Sequence, residues 1–348
     1  MNTPIQTALC AYGMSGKVFH APFLHDHPGF HIKKVLQRTR SDVLERYPYV
    51  EIARTMDEIL NDPEIELVVV NTPEPTHYDL ASAVLEAGKH VIVEKAFTVT
   101  SAEAEDLIQL ADEKNLLLSV YQNRRWDGDF LTTRKIVEEG LLGRLVEFES
   151  NYQRYRNFIQ PETWKEEDTP GTGILYNLGS HLIDQVLFLF DWPEQVFADL
   201  RIQRTGGRVH DYFEVILYYP NFKATVKAGY LVREQGPRYK LLGTTGSFVK
   251  YGIDPQEEAL KEEYLPSEPG WGEEDESNWG IINTTISGLD IRGKVQTLPG
   301  DYMAYYQNVH DAIRKKEPLA VTADQAKRVI EVIEAAYKSH KKGKIIEL

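Results

Sequence analysis

The period of the hydrophobic positions changes once along the chain, near residue 122. Before that point, short apolar runs alternate with segments of helical period. Residues 5–11, 31–37, 67–70, 90–93 and 116–121 read as strands. The runs Leu67-Val68-Val69-Val70 and His90-Val91-Ile92-Val93 are almost uninterrupted, as in strands buried on both faces. Helices are predicted over 41–47, stopped by Pro48, and over 56–60 behind a Thr55/Glu58 capping box. Two more follow: 77–87, capped by Thr76 and closed by Gly88, and 102–114 behind a Thr100/Glu103 box. Strictly alternating strands and helices imply an α/β unit with a parallel, doubly wound sheet.

Beyond residue 122 the period shortens to two. After a helix at 130–139, alternating strands are predicted over 145–155, 196–203, 212–218, 224–230 and 239–242. One helical stretch, about 176–190, interrupts them. The C-terminal helix is capped by Thr322 and Gln325 and carries the apolar stripe Ala326, Val329, Ile330, Ile333 and Tyr337. The acidic stretch 257–276 reads as a solvated loop.

A length of 348 residues suits two domains, divided here as 1–122 and 123–348. The net charge of −14 argues against nucleic acid or an anionic membrane as partner. No apolar run is long enough to span a bilayer, and the start, Met1-Asn2-Thr3-Pro4, shows no secretory pattern. Cys10 is the single cysteine and cannot form an internal disulfide; it reads as a small buried apolar residue. A reducing, cytoplasmic setting is the expectation.

The candidate chemistry begins at Cys10-Ala11-Tyr12-Gly13-Met14-Ser15-Gly16-Lys17, directly after the first strand. Ala11, Gly13 and Gly16 occupy the three small-residue positions of a dinucleotide fingerprint. The turn must be tight, the backbone must approach a pyrophosphate, and the following helix must pack closely. Ala in place of the first Gly makes the match imperfect. After the second strand, where an NAD site carries a carboxylate, the chain reads Gln37-Arg38-Thr39-Arg40-Ser41. Arginines and hydroxyls suit a 2′-phosphate, so NADP is favoured over NAD. Arg38 and Thr39 come first, then Arg40 and Ser41.

Glu94-Lys95 ends a buried strand, where a lysine can stabilise charge on a reacting oxygen. Asn177, His181, Asp184 and Gln185 share one face of the helix predicted at 176–190. A carboxylate one turn from a histidine can fix its tautomer, so His181 reads as a general base. His20, His25, His27 and His31 are scattered, and no metal site is expected.

These pieces resemble one family throughout. They are residues 12–20, Thr72-Pro73, His77, residues 87–91, Glu94-Lys95, Tyr121, residues 123–127, Gly179-Ser180-His181 with Asp184, residues 236–239 and residues 250–252. The chain is similar to the Gfo/Idh/MocA oxidoreductases (glucose–fructose oxidoreductase, inositol dehydrogenase, MocA), especially the bacterial NADP-dependent scyllo-inositol dehydrogenases. The resemblance implies a Rossmann fold followed by an α+β domain with a large, open, mixed and mostly antiparallel sheet. It also implies that the helix at 323–342 packs back on the first domain, and that a homodimer or homotetramer forms through the second sheet.

The family's lysine falls on Lys95 and its histidine on His181. Tyr12, Gly13, Met14, Ser15, Gly16, Thr72, Pro73, His77, Glu94, Asn123 and Arg125 are implied cofactor contacts. Tyr152, Arg154 and Trp164 are implied pocket residues. Two departures stand out: Ala96 replaces the proline that stiffens the Glu-Lys-Pro turn, and Asn177 replaces the usual Asp. The implied activity is hydride exchange between NADP and a secondary alcohol of a polyol or sugar. His181 moves the hydroxyl proton, Lys95 steadies the oxygen, and Asn177 and Asp184 orient His181 and the substrate. A sugar-ketone reductase of the anhydrofructose type and a catalytically idle NADP-binding regulator stand as alternatives.

Overall fold

The computed structural model describes residues 3–348, so Met1 and Asn2, half of the N-terminal stretch read for a secretory pattern, lie outside the described residues. Among the described residues two sheets form. The first contains β1 (Ile5–Leu9), β2 (Phe30–Leu36), β3 (Glu51–Ala53), β4 (Leu67–Val70), β5 (His90–Val93) and β6 (Leu118–Val120). Its order is β3-β2-β1-β4-β5-β6, with every neighbour parallel. The direction of winding reverses between β1 and β4, which is the point where such a sheet opens a ligand crevice. All four residues of β4 are buried, as a strand covered on both faces requires.

The second sheet contains β7 (Leu145–Gln153), β8 (Gln195–Arg201), β9 (Tyr212–Tyr218), β10 (Lys223–Gly229), β11 (Tyr239–Gly243), β12 (Gly246–Lys250), β13 (Gly280–Ile286), β14 (Leu289–Val295) and β15 (Ile346–Glu347). Its order is β14-β13-β12-β11-β7-β10-β9-β8-β15; β7 and β10 pair in parallel and the other pairs are antiparallel. Alternation assigns Phe148, Ser150, Tyr152, Val215, Leu217 and Val226 to the buried face. The opposite face is laced by cross-strand ion pairs, Lys240–Glu149 at 2.9 Å and Lys227–Glu214 at 3.3 Å.

Two compact units result. The first holds the chain up to Asn123 together with Gln256–Trp271 and Asp301–Lys327; the second holds Arg124–Pro255, Gly272–Gly300 and Arg328–Leu348. The expected unbroken second domain, 123–348, is therefore interrupted. Besides the first turn of the final helix, up to Lys327, which pairs with Glu105 at 2.7 Å, the first unit takes in the helix Met303–Lys315. Its Tyr306 stacks on Phe23 at 5.6 Å and meets Phe30 edge-on at 6.0 Å. Most of the final helix, Ala323–Lys342, groups with the second unit instead: Ser339 accepts from the backbone of Ala198 at 3.0 Å, and Arg328 lies 5.1 Å from the Trp192 ring.

Several local expectations change. Helix Asp57–Leu60 lacks the predicted capping box, because Glu58 accepts from the Arg54 backbone and the Thr55 hydroxyl. Thr76 does not cap His77–Glu86; its hydroxyl donates to the Pro73 carbonyl at 2.7 Å. The boxes Thr100/Glu103 and Thr322/Gln325 both form. The acidic stretch is not wholly solvated either. It opens with helix Gln256–Lys261, and Glu274 is buried 2.8 Å from Lys250. Strand β3 was missed, being three residues long with a single buried position.

Candidate active site

The fingerprint sits in the loop after β1. Strand β1 ends at Leu9, two residues earlier than predicted, and the loop runs into a π-helical turn, Gly16–His20. A Cβ on Gly13 would meet no protein atom within 4 Å, whereas one on Gly16 would lie 2.5 Å from the Ala11 carbonyl oxygen. The second glycine thus leaves room for a ligand, and the third allows the turn to close on the strand. These are the two demands of a dinucleotide loop. Asn71, at the end of β4, braces the loop: its amide donates to the Ala11 carbonyl and accepts from the Ala11 N–H, both at 2.9 Å. Its role was not legible, because an Asn after an apolar strand is an ordinary sequence feature. Tyr12 packs inward with its ring edge against Tyr47, and burial raises its hydroxyl to about 12, while Met14 is exposed.

The loop after β2 is braced by Arg54, a residue the sequence did not single out. Its guanidinium donates to the carbonyls of Gln37 at 2.6 Å and Arg40 at 2.5 Å, and to the Ser41 hydroxyl at 3.0 Å. Arg40 is itself occupied by Asp42, which also pairs with Lys17 at 2.6 Å. Bonds from Arg40, Lys17 and Gln37 hold the Asp42 carboxyl well below the usual carboxylate range. Arg40 and Ser41 therefore serve the loop. Among the described residues, the side chains of Arg38 and Thr39 are exposed and without a hydrogen-bond partner.

At the end of β5, Glu94 is buried. It accepts from the Ser15 hydroxyl, from His20 Nε2 at 3.0 Å and from the Lys95 backbone N–H at 3.0 Å. Burial pushes the Glu94 carboxyl up, but the His20 bond and charge, the Lys95 charge and the Ser15 bond outweigh it and bring it down to about 2. The Lys95–Ala96 peptide is cis. This turn lacks the family's proline but is tied elsewhere: His77 Nδ1 lies 2.8 Å from the Ala96 carbonyl, and its Nε2 lies 2.9 Å from the Thr72 carbonyl. His77 is fully buried with both ring nitrogens on backbone oxygens. It ties the ends of β4 and β5 together. Thr72 bonds Thr76 at 2.7 Å, Pro73 is exposed, and buried Asn123 opens the turn Asn123–Trp126.

In the second unit, a π-helical turn, Leu175–Gly179, runs into the α-helix Ser180–Phe190. Asn177 lies in the π-turn and His181 in the first α-helical turn. The i, i+4 rule for a shared α-helical face does not carry across such a junction. His181 and Asp184 are both buried. Arg125 donates to both Asp184 oxygens, at 2.7 and 2.6 Å, and stacks 4.7 Å from the Phe188 ring. The Asp184 charge is therefore matched by Arg125, and the Arg125 guanidinium is occupied within this unit. Gln185 bonds the Arg124 carbonyl at 2.8 Å and accepts from Tyr239 at 2.8 Å. Tyr152 is buried beneath the guanidinium groups of Arg154 and Arg124, and Arg154 donates to its hydroxyl at 3.1 Å. Trp164 stands on a separate turn, Trp164–Glu166, which Arg204 fastens through Glu166. Among the described residues no group of His, Cys, Asp and Glu is arranged to hold a metal, and no helix is long and apolar enough to cross a membrane.

Comparison with known proteins agrees with this geometry. Residues 5–122 match the model of an oxidoreductase family's NAD-binding Rossmann fold, and residues 134–348 match the C-terminal alpha/beta domain of the same family. The chain is 42% identical over 347 residues to the scyllo-inositol 2-dehydrogenase (NADP(+)) IolW of Bacillus subtilis, covering 99% of this chain and 96% of that protein. A solved structure from Bacteroides fragilis shares 51% identity at a TM-score of 0.92, covering 99% of this chain and 100% of that one. The structure of YvaA from Bacillus subtilis shares 40% identity at a TM-score of 0.96, covering 99% and 98%. With its glycine cradle, its ionised Glu94 and its histidine helix, the chain belongs to the Gfo/Idh/MocA oxidoreductase family and carries that family's NAD(P)-binding Rossmann domain.

Proposed function

We propose that this oxidoreductase is NADP-dependent and interconverts a secondary alcohol of a polyol or sugar, of the scyllo-inositol type, with its ketone. The observation that carries the cofactor choice is the loop after β2. It presents Arg38 and Thr39 exposed and unengaged, while the nearby Asp42 is matched by Lys17 and Arg40. A free guanidinium and hydroxyl suit a 2′-phosphate; a free carboxylate, which would suit a bare ribose, is missing there. The similarity to IolW over 99% of the chain supports the substrate class.

The bound nicotinamide supplies the hydride chemistry. In the first unit, Gly13 and Ser15 line the pyrophosphate loop, Glu94 accepts sugar hydroxyls, and Lys95 steadies negative charge on the reacting oxygen. In the second unit, His181 takes up the hydroxyl proton in oxidation and returns it in reduction. Asn177 contributes hydrogen bonds without charge, and Tyr152 and Arg154 contribute to the substrate pocket. The ion-paired open face of the second sheet supports assembly as a homodimer or homotetramer. Initial rates at 340 nm over a panel of inositols, inososes and sugars, with NADP(H) and NAD(H) side by side, test the reading. Strong NADP-linked turnover of scyllo-inositol or its ketone is expected; NAD-linked turnover alone would overturn the cofactor choice.

A further inference from the structure

The end of β5 carries a buried hydrogen-bond chain in which two members, His20 and Tyr306, have no role above. Tyr306 Oη lies 2.6 Å from His20 Nδ1, and His20 Nε2 lies 3.0 Å from Glu94 Oε1. His20 and Tyr306 are both fully buried. The His20 ring is held against Tyr121 at 4.5 Å, and Tyr306 is stacked on Phe23. Tyr306 reaches this point from the helix Met303–Lys315, and His20 from the end of the π-turn that follows the glycine loop. Three donors therefore converge on one carboxylate: the hydroxyl of Ser15, the ring of His20 and the backbone N–H of Lys95.

The topology says what such a carboxylate meets. In a sheet ordered β3-β2-β1-β4-β5-β6, a dinucleotide lies across the carboxyl ends of the strands, with its pyrophosphate at the loop after β1. Arg38 follows β2, on one side of that loop; Glu94 follows β5, on the other. An ionised carboxylate only accepts hydrogen bonds, and the vicinal hydroxyls of a ribose are donors that fit it. Left to itself, a glutamate on a strand end samples several rotamers, and ordering it on binding costs affinity. Here the ordering is built in.

We infer that His20 and Tyr306 are positioning residues for nicotinamide-ribose recognition, fixing the rotamer of Glu94 so that its carboxylate accepts the ribose hydroxyls. The inference rests on the cofactor reading proposed above. Calorimetric titration of the cofactor-free protein with two ligands tests it: NADPH, and 2′,5′-ADP, which lacks the nicotinamide ribose. His20→Leu is expected to weaken NADPH roughly tenfold, the effect of one lost charge-assisted bond, and to leave 2′,5′-ADP within about twofold of wild type. His20→Gln, which keeps a side-chain N–H donor, restores most of the loss. Tyr306→Phe removes only the hydroxyl and serves where His20→Leu does not fold; it weakens NADPH by a smaller factor with the same selectivity. Equal loss of both ligands in the folded variants, or no loss of NADPH, overturns the inference. Failure of the wild type to bind either NADPH or NADH overturns the cofactor reading itself, and this inference with it.

Discussion

Arg125 and Asp184, 59 positions apart, form a two-pronged ion pair with bonds of 2.7 and 2.6 Å, and both side chains are buried. Removing one partner of such a pair leaves an uncompensated buried charge. Asp184→Ala is therefore expected to lower stability by about 3–5 kcal/mol, read as a lower denaturant midpoint at an unchanged m-value. Asp184→Asn keeps one acceptor for the guanidinium and loses less. A loss in Asp184→Ala below about 1 kcal/mol would show that the pair does not hold this helix in place.

The two glycines of the fingerprint make opposite predictions. Gly16→Ala drives a Cβ to 2.5 Å from the Ala11 carbonyl, and is expected to cost about 1–3 kcal/mol through overpacking. Gly13→Ala meets nothing in the protein. It should leave the melting temperature unchanged while weakening dinucleotide binding, because the methyl group enters the space kept for the ligand. Thermal melts with and without NADPH separate the two. A destabilised Gly13→Ala would mean that this glycine serves the fold.

Arg38 is exposed and its side chain is unengaged, so replacing it does not disturb the loop that Arg54 braces. Arg38→Asp is expected to weaken NADPH by roughly 10- to 100-fold, the range of a charge-assisted bond, with little effect on NADH. Equal loss for both, in fluorescence titrations, would remove Arg38 from the 2′-phosphate site.

His181→Ala removes the proposed base and is expected to cut turnover by about 10²–10⁴. NADPH affinity should stay near wild type, because the dinucleotide loop belongs to the other unit. Retained turnover would rule out proton transfer by His181.

The Glu94 carboxyl lies at about 2 in the fold against 4.5 for a free glutamate. The native state thus binds fewer protons than the unfolded chain between those values. The stabilisation is complete above about pH 4.5 and is lost as pH falls toward 2. Its size is about 3 kcal/mol. Glu94→Gln should flatten the acid limb of a stability-versus-pH curve; an unchanged limb would show that other carboxyl groups set it.

Much of the first unit was legible because its signals are local. A buried parallel strand must be apolar along its length, as β4 and β5 are, and a capping box such as Thr100/Glu103 is satisfied by residues three apart. Where a local signal had a competitor, it failed: Thr76 bonded the Pro73 carbonyl in place of its helix, and Glu58 turned back to Arg54. The hairpin of β13 and β14 lies outside the predicted strands, although β14 alternates Leu289, Ile291 and Val295 with Asp290, Arg292 and Lys294; in the fold nearly all of β14 is exposed.

The sequence by itself determined the alternation that makes a doubly wound sheet, the glycine cradle, the missing carboxylate between Gln37 and Ser41, and the presence of Lys95 and His181. These depend on residue type and on spacing within a turn or two. Tertiary structure decided what each charged group faces. It matched Asp184 to Arg125, Asp42 to Lys17 and Arg40, His77 to two carbonyls, and Glu94 to His20 and Ser15. It also sent the helix Met303–Lys315 to the first unit and divided the last helix at Lys327. A charged group settles on whichever partner the packing brings within hydrogen-bond reach, and for Asp184 and Glu94 those partners lie 59 to 79 residues away, which no local pattern records.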